Sequence, residues 1–181
     1  MEQDRGENVT TTCKRCLSDD EISSVSQFIL KNRRDLHPAY TTLDMVALLY
    51  SYITEGNLVC IVDENQRVLG ASAYYLGTRE RNFEDKEIVF ADLVICDRTI
   101  RGSRLFMKGF IYLIELIVEE HPEVREIQFS ALSENTYVCN LYAKLANKSH
   151  TREGLIGEET VFSEQVSTLK TALKKFQRVS W

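Results

Sequence analysis

The segment from residue 88 to residue 118 constrains the fold more than any other part of this 181-residue sequence. Residues 88–96 are apolar and rich in β-branched side chains, which is typical of a buried strand. Residues 105–118 form a second apolar run that is long enough for a helix. A strand, a short turn and a buried helix in this order predict a sheet covered by helices, with parallel strand pairing around the helix.

The turn between these two runs contains three arginines spaced three residues apart, Arg98, Arg101 and Arg104. A helix N-terminus carries about half a positive charge, so arginines there are unfavourable unless an anion binds beside them. The arginines, together with backbone N–H groups of Gly102 and Ser103, would receive an anion such as a phosphate. Two other interpretations stay open: the arginines form a solvated edge paired with Asp97 or Glu115, and Gly102 only makes the turn.

Composition excludes several broad classes of protein. The net charge of −5 and the pI of about 5.3 argue against a nucleic-acid-binding surface. Because the N-terminus is polar, we do not expect a signal peptide there. Lys108 and Glu115 interrupt the 105–118 run, which is too short to span a bilayer. Five scattered cysteines fit a reducing compartment. We expect one cytoplasmic domain over residues 1–181, with residues 1–7 frayed and no membrane or nucleic-acid partner.

Hydrophobic periodicity predicts the element order β-α-α-β-β-β-α-β-α-β-α. The predicted strands cover residues 8–17, 58–62, 68–76, 88–96, 127–130 and 160–162. The predicted helices begin at Ser18, Thr42, Leu105, Ser133 and near Val166, and the first ends near Asn32. In the second helix, six apolar side chains fall at helical spacing: Leu43, Val46, Ala47, Leu49, Tyr50 and Ile53.

Asp92 is the only charged residue inside the apolar run 88–96. A carboxylate in such surroundings needs a partner or a function, because burying an unpaired charge is costly. Burial would raise its pKa, and it would then be able to deprotonate an amine. Alternatively, Asp92 lies on an open face of the sheet or pairs with an arginine. Glu87, at the edge of the same strand, is the second candidate base.

A metal site is not expected. Cys13 and Cys16 have the spacing of one half of a zinc site, but no second CxxC pair follows. The three histidines are isolated in the sequence: His37, His121 and His150.

Two local patterns carry a resemblance to a known family. Residues 101–106, RGSRLF, resemble the R/Q-x-x-G-x-G/A turn of the GNAT superfamily of acyl-CoA-dependent N-acyltransferases, with Arg101 in the first position. Residues 135–147, NTYVCNLYAKLAN, resemble that family's N-x-x-A-x-x-L-Y-x-K-L-G-F helix. Five positions of the second pattern match: Asn135, Leu141, Tyr142, Lys144 and Leu145.

The resemblance implies an α/β fold with a mixed, mostly antiparallel sheet flanked by helices, in which the fourth and fifth strands diverge around a parallel β-α-β unit. It also implies that acetyl-CoA or another acyl-CoA donates an acyl group to a small-molecule or peptide amine, and it leaves a homodimer open. Backbone N–H groups of Val94, Ile95 and Cys96 would bind the thioester, and Asn135 the pantetheine arm. Tyr142 would protonate the departing thiolate, with Asp92 as the base.

Each of these roles has a simpler alternative. Tyr142 would be a core tyrosine on an amphipathic helix, and Asn135 would be a helix cap near Ser133. Arg104 and Phe106 stand where the family usually has small residues, which would narrow the approach of a pyrophosphate to the backbone. The second hypothesis is therefore a catalytically degenerate module that binds CoA, another phosphate ligand or a protein partner.

Overall fold

The computed structural model describes residues 10–98 and 105–179, and the side chains of these residues up to residue 174. The strands are β1 (Thr11–Arg15), β2 (Asn57–Asp63), β3 (Val68–Leu76), β4 (Ile88–Cys96), β5 (Glu126–Leu132), β6 (Asn147–Glu153) and β7 (Glu158–Gln165). The helices are α1 (Asp19–Leu36), α2 (Thr42–Thr54), α3 (Leu105–Glu120), α4 (Thr136–Tyr142) and α5 (Val166–Val179).

The seven described strands form one sheet in the order β1-β2-β3-β4-β5-β7-β6. Every neighbouring pair is antiparallel except β4 and β5, which are parallel and joined through α3. The parallel pair is the β-α-β unit that the apolar segment 88–118 predicts. The fold is therefore the mixed, mostly antiparallel α/β architecture expected from the sequence.

Each face of the sheet carries its own hydrophobic core. On one face, α1 and α2 pack through Ile29 and Leu49 against strand residues such as Ala73. On the other face, α3 and α5 pack through Ile114 and Leu169. The helix α3 is thus a core helix, and no helix in the described ranges is long and apolar enough to cross a membrane.

The helices α1 and α2 both begin at a capping box. The Ser18 hydroxyl accepts the N–H of Glu21, whose carboxylate accepts the Ser18 N–H in return. Thr41 and Asp44 form the same reciprocal pair at the start of α2, one residue before the predicted cap at Thr42. These caps satisfy backbone donors that the first helical turn leaves without partners.

The sequence-based prediction missed β6 entirely. This strand, NKSHTRE, lies at the edge of the sheet and is almost wholly exposed, so it has no alternation between buried and exposed side chains to predict it. Three other bounds were too short: α1 continues to Leu36, β5 covers residues 126–132, and β7 covers residues 158–165.

The buried face of α2 also differs from the prediction. Met45, Leu49 and Tyr52 are buried, whereas Leu43 and Tyr50 are 80% and 70% exposed. Apolar residues occupy both faces of this helix, so periodicity alone could not identify the face that packs on the sheet.

Candidate functional site

A cleft opens where β4 and β5 diverge. The two strands pair only over Ile88–Ala91 and Glu126–Phe129, although β4 continues to Cys96 and β5 to Leu132. The edge of β4 that faces β5 therefore pairs with no strand of the described chain beyond Ala91. A cavity of about 500 Å³ fills the gap, a volume typical of small-molecule sites.

Asp92 lies at the point where the strands separate, and it forms a β-bulge. Ala73 and Tyr74 of β3 pair with Leu93 and Ala91, so Asp92 has no partner opposite it. The bulge also exchanges the faces of β4: Ala91 packs on the α3 side, whereas Leu93 packs on the α1 and α2 side. Bulges of this kind redirect a side chain next to a functional site, and here the bulge places a carboxylate in the cleft.

The Asp92 carboxylate is nearly enclosed, with 14% of its side chain exposed. Its Oδ2 accepts a hydrogen bond of 2.9 Å from the Tyr52 hydroxyl and lies 3.6 Å from Arg79 Nη2. Its Oδ1 lies 3.9 Å from Arg152 Nη2. Burial raises the pKa of Asp92 above its usual range; Arg79 and the Tyr52 hydrogen bond oppose this effect, and Glu159 adds to it. The sequence left open that Asp92 pairs with an arginine. Two arginines do lie beside it, but neither donates a short hydrogen bond to Asp92.

Arg152 is held by other acids. Its Nε and Nη2 atoms each lie 3.0 Å from Glu159 Oε2, and its Nη1 donates to Glu80 at 2.8 Å. Its guanidinium also lies over the Phe90 ring, with 4.4 Å between Cζ and the ring centroid. Arg152 is therefore a fixed element of the cleft wall, neutralised by two glutamates.

Arg79 differs from Arg152 because its guanidinium remains half exposed. It belongs to a short 3-10 turn, Arg79–Arg81, in the loop between β3 and β4. Its Nη2 donates to the Tyr75 hydroxyl at 2.8 Å, and its side chain is 47% exposed. Both arginines line the cleft with Asp92.

Tyr142, the last residue of α4, is buried beside the cleft. Its ring packs edge-on against Phe129 and Phe162, with centroid distances of 4.7 and 5.8 Å. Burial raises its pKa to about 12, with smaller contributions from the Cys96 and Cys139 thiols. No residue of the described chain forms a hydrogen bond with its hydroxyl. Tyr142 is thus part of the core, as the simpler interpretation held, and it also lines the cleft as a protonated hydroxyl.

Asn135 caps α4. Its side-chain oxygen accepts the Val138 N–H at 3.2 Å, which is the capping role proposed as the alternative to ligand binding. The same residue lines the cleft with Tyr142. The cap and the cleft position are compatible, because the Asn135 amide nitrogen remains as a donor.

The predicted phosphate turn is only partly described. Arg101, Gly102, Ser103 and Arg104 lie outside the described residues. Arg98 is described, and its Nε donates to Asp35 at 2.7 Å, with 73% of its side chain exposed. Neither of the predicted acidic partners, Asp97 and Glu115, forms an ion pair with Arg98; Asp97 pairs with Arg67 instead. The ion pair between Arg98 and Asp35 joins the end of β4 to α1.

The remaining predicted site residues divide between the cleft and other places. Val94 lines the cleft, whereas Ile95 and Cys96 line a smaller apolar space beneath α3 together with Val94. Glu87 is exposed at the opposite end of β4 and does not line the cleft. Among the residues the structure describes, no group of three or more His, Cys, Asp or Glu side chains is placed to hold a metal ion.

Sequence reasoning missed much of the cleft wall. The missed residues come from three separate parts of the sequence, namely α2, the β3–β4 loop and the consecutive strands β6 and β7: Tyr52, Arg79, Arg152 and Glu159. Tyr52 shares a helix whose apolar pattern was ambiguous, and Arg152 lies in the strand that was not predicted. Glu159 carried a weak signal, since it directly precedes the predicted strand 160–162.

No protein-family model matches the sequence, and no curated protein matches it. Solved structures do match the fold. An acetyltransferase of the GNAT family from Streptococcus pneumoniae has a TM-score of 0.58 at 14% identity, covering 86% of this chain and 99% of that one. The ribosomal-protein-S5-alanine acetyltransferase from Vibrio fischeri has a TM-score of 0.62 at 13% identity, and the match covers 88% of this chain and 95% of that one. An aminoglycoside acetyltransferase in complex with coenzyme A has a TM-score of 0.66 at 16% identity, and the match covers 90% of this chain and 98% of that one.

Proposed function

We propose, from the GNAT fold that this chain shares with these acetyltransferases, that it is an N-acyltransferase. It would transfer an acetyl or other acyl group from acyl-CoA to a primary amine by direct attack. The observation that carries this proposal is the cleft at the diverging strands, where a buried carboxylate and a buried tyrosine line one cavity. One neighbour of the same fold has coenzyme A bound.

The residues around the cleft fit an acyl-CoA. The unpaired edge of β4 beyond Ala91 offers backbone groups to the pantetheine arm, and the thioester would lie in the gap beside Val94. Within residues 94–96, the backbone N–H groups of Val94 and Cys96 face away from β3, and they would polarise its carbonyl oxygen. Acyl-CoA supplies an activated acyl group with thiolate as the leaving group. Arg101 and Arg104, with Gly102 and Ser103, remain the proposed phosphate ligands, because a guanidinium matches phosphate geometry well.

Asp92 would act as the general base. Its raised pKa makes it a better proton acceptor than an exposed aspartate, and its Oδ1 forms no hydrogen bond with a described residue. Asp92 takes a proton from the amine, directly or through water. The resulting neutral amine nitrogen then forms a bond to the thioester carbonyl carbon and gives up its second proton to solvent, and the carbon–sulfur bond breaks.

Tyr142 would act as the general acid. With a pKa of about 12 it is protonated at neutral pH, and its hydroxyl has no acceptor within the described chain. It donates its proton to the departing thiolate sulfur and is reprotonated from solvent. The products are an amide and free CoA thiol, and no residue forms a covalent bond to the acyl group. Holding both reactants in the cleft would supply up to roughly 7–11 kcal/mol of the rate enhancement.

The test is CoA release from acetyl-CoA over a broad panel of amines, with mass spectrometry of the products. The proposal predicts thiol release that equals the amount of acylated amine. Binding of CoA without release on any amine would contradict it, and would favour a catalytically degenerate CoA-binding module instead.

A further inference from the structure

We propose that the acceptor is an α-amino acid, whose carboxylate binds Arg79 while its amine faces Asp92. The inference rests on the proposed function and specifies the substrate class of the same cleft. It starts from charge. Seven charged residues of the described chain line the cavity, and five of them are acids, which would by itself suggest a cationic acceptor: Asp35, Arg79, Glu80, Asp92, Arg152, Glu153 and Glu159.

Most of these charges are already paired within the protein. Arg98 holds Asp35, and Arg152 holds both Glu80 and Glu159. Glu153 is exposed at the end of β6. Three of the five acids that would attract a polycation are therefore engaged with arginines. Besides the solvated Glu153, the charged groups of the described chain left facing the cavity are the Asp92 carboxylate and the half-exposed guanidinium of Arg79.

These two groups lie side by side. Arg79 Nη2 and Asp92 Oδ2 are 3.6 Å apart, too far for a hydrogen bond but close enough for one small molecule to contact both. An α-amino acid carries an amine and a carboxylate on the same carbon atom. When such a molecule binds with both charged groups directed toward this pair, its amine contacts Asp92 and its carboxylate contacts Arg79. Each charge then faces a group of opposite charge.

Most N–H groups of the Arg79 guanidinium remain available to bind a ligand. The described chain gives it one hydrogen bond, from Nη2 to Tyr75, and its guanidinium lies over the Tyr75 ring at 5.0 Å. Its Nε and Nη1 atoms have no acceptor among the described residues. The Nη2 atom also keeps its second N–H, and the edge that this group shares with Nε or with Nη1 can bind a carboxylate through two parallel hydrogen bonds, which a lysine could not do.

The position of Arg79 is fixed before any ligand binds. Tyr75 is buried, and its hydroxyl accepts from Arg79 and lies 2.7 Å from the Ser51 hydroxyl, which is itself 3.2 Å from Glu55. The loop is closed by Asp85, which accepts the Thr78 N–H at 2.7 Å and the Thr78 hydroxyl at 2.6 Å. A guanidinium held in this way loses little freedom when it binds, which favours its use as a recognition group.

The experiment compares matched acceptors that differ only in the carboxylate. CoA release is measured with the natural α-amino acids and with the amines obtained by removing their α-carboxylate, for example phenylalanine against phenethylamine. We expect kcat/KM to be at least tenfold higher for the carboxylated member of the best pair. Arg79→Gln should remove that preference, lowering kcat/KM for the amino acid at least tenfold more than kcat/KM for the decarboxylated amine.

Arg81→Gln is the matched control. It removes the same charge from the same turn, but Arg81 is exposed and does not line the cavity, so the preference should persist. Turnover of decarboxylated amines at rates equal to or above those of amino acids would overturn the inference while leaving the acyltransferase proposal intact. Absence of CoA release with both sets would instead contradict the acyltransferase proposal itself.

Discussion

The two halves of β4 have the same strand geometry but different neighbours, and this difference explains how one strand serves both stability and function. Residues 88–91 pair with β3 on one side and β5 on the other, and Val89 is fully buried. Residues 93–96 pair with β3 alone, and residues 92–94 line the cleft. The bulge at Asp92 separates the halves. Substitutions in the half at and beyond the bulge should therefore affect turnover, and substitutions that disturb the half before the bulge should affect folding.

Asp92→Asn tests the open half most severely. The amide keeps the shape of the side chain but cannot accept the proton of the amine, so kcat should fall about 10²–10⁴-fold, which is roughly 3–5 kcal/mol of barrier. Steady-state kinetics with the best acceptor measures the effect. Glu87→Gln is the control, because Glu87 directly precedes the same strand, is exposed and does not line the cleft, and its kcat should stay within twofold. Equal losses in the two variants would remove the distinction between the halves.

Ile127→Ala tests the paired half. Ile127 pairs with Val89 and is fully buried, so its truncation should lower the free energy of unfolding by about 2–5 kcal/mol. Chemical denaturation gives this value. The variant protein that remains folded should keep kcat within a few-fold of wild type. A large loss of kcat in fully folded variant protein would show that the paired half also shapes the reaction.

Tyr142→Phe separates the chemical role of the tyrosine from its packing role. The ring contacts with Phe129 and Phe162 remain, and the hydroxyl has no hydrogen-bond partner in the described chain, so stability should be unchanged. Loss of the general acid should lower kcat about a hundredfold, or roughly 2.7 kcal/mol. Tyr74→Phe is the control, because burial also raises the pKa of Tyr74 to about 12 but Tyr74 does not line the cleft. A wild-type kcat for Tyr142→Phe would leave only the packing role.

The pH dependence of stability provides the smallest expected effect. Burial raises the pKa of Asp92 in the folded protein, so the folded state binds its proton more tightly than the unfolded state does. Between the ordinary value of 3.8 and the raised value, wild type should lose stability relative to Asp92→Asn as pH increases. Above the raised pKa the difference should be constant, with the asparagine variant the more stable. Denaturation of both proteins across this range measures it, and a difference of opposite sign would show that Asp92 is stabilised as an ion.

The sequence predicted the fold better than the site, and particular residues show why. The segment 88–118 predicted the parallel unit because apolar runs of these lengths have few alternatives, and Asp92 was conspicuous as a charge within such a run. The edge strand β6 lacked any apolar pattern, so Arg152 could not be placed. Arg79 lies in a polar loop that contains both acidic and basic residues, so the sequence alone did not single it out as a binding residue. Only its contacts with Tyr75 and Asp92 in the structure do so. Pairing between distant polar residues, such as Arg98 with Asp35, depends on the tertiary structure.

Amide hydrogen exchange along β4, with and without acetyl-CoA, tests the central claim most directly. The account predicts that amides among residues 92–96 that face the cleft become at least tenfold more protected when acetyl-CoA binds. Amides of residues 88–91 should change little, since neighbouring strands already flank them on both sides. Protection that appears elsewhere in the molecule while residues 92–96 exchange as before would contradict the assignment of the open half of β4 as the acyl-CoA site.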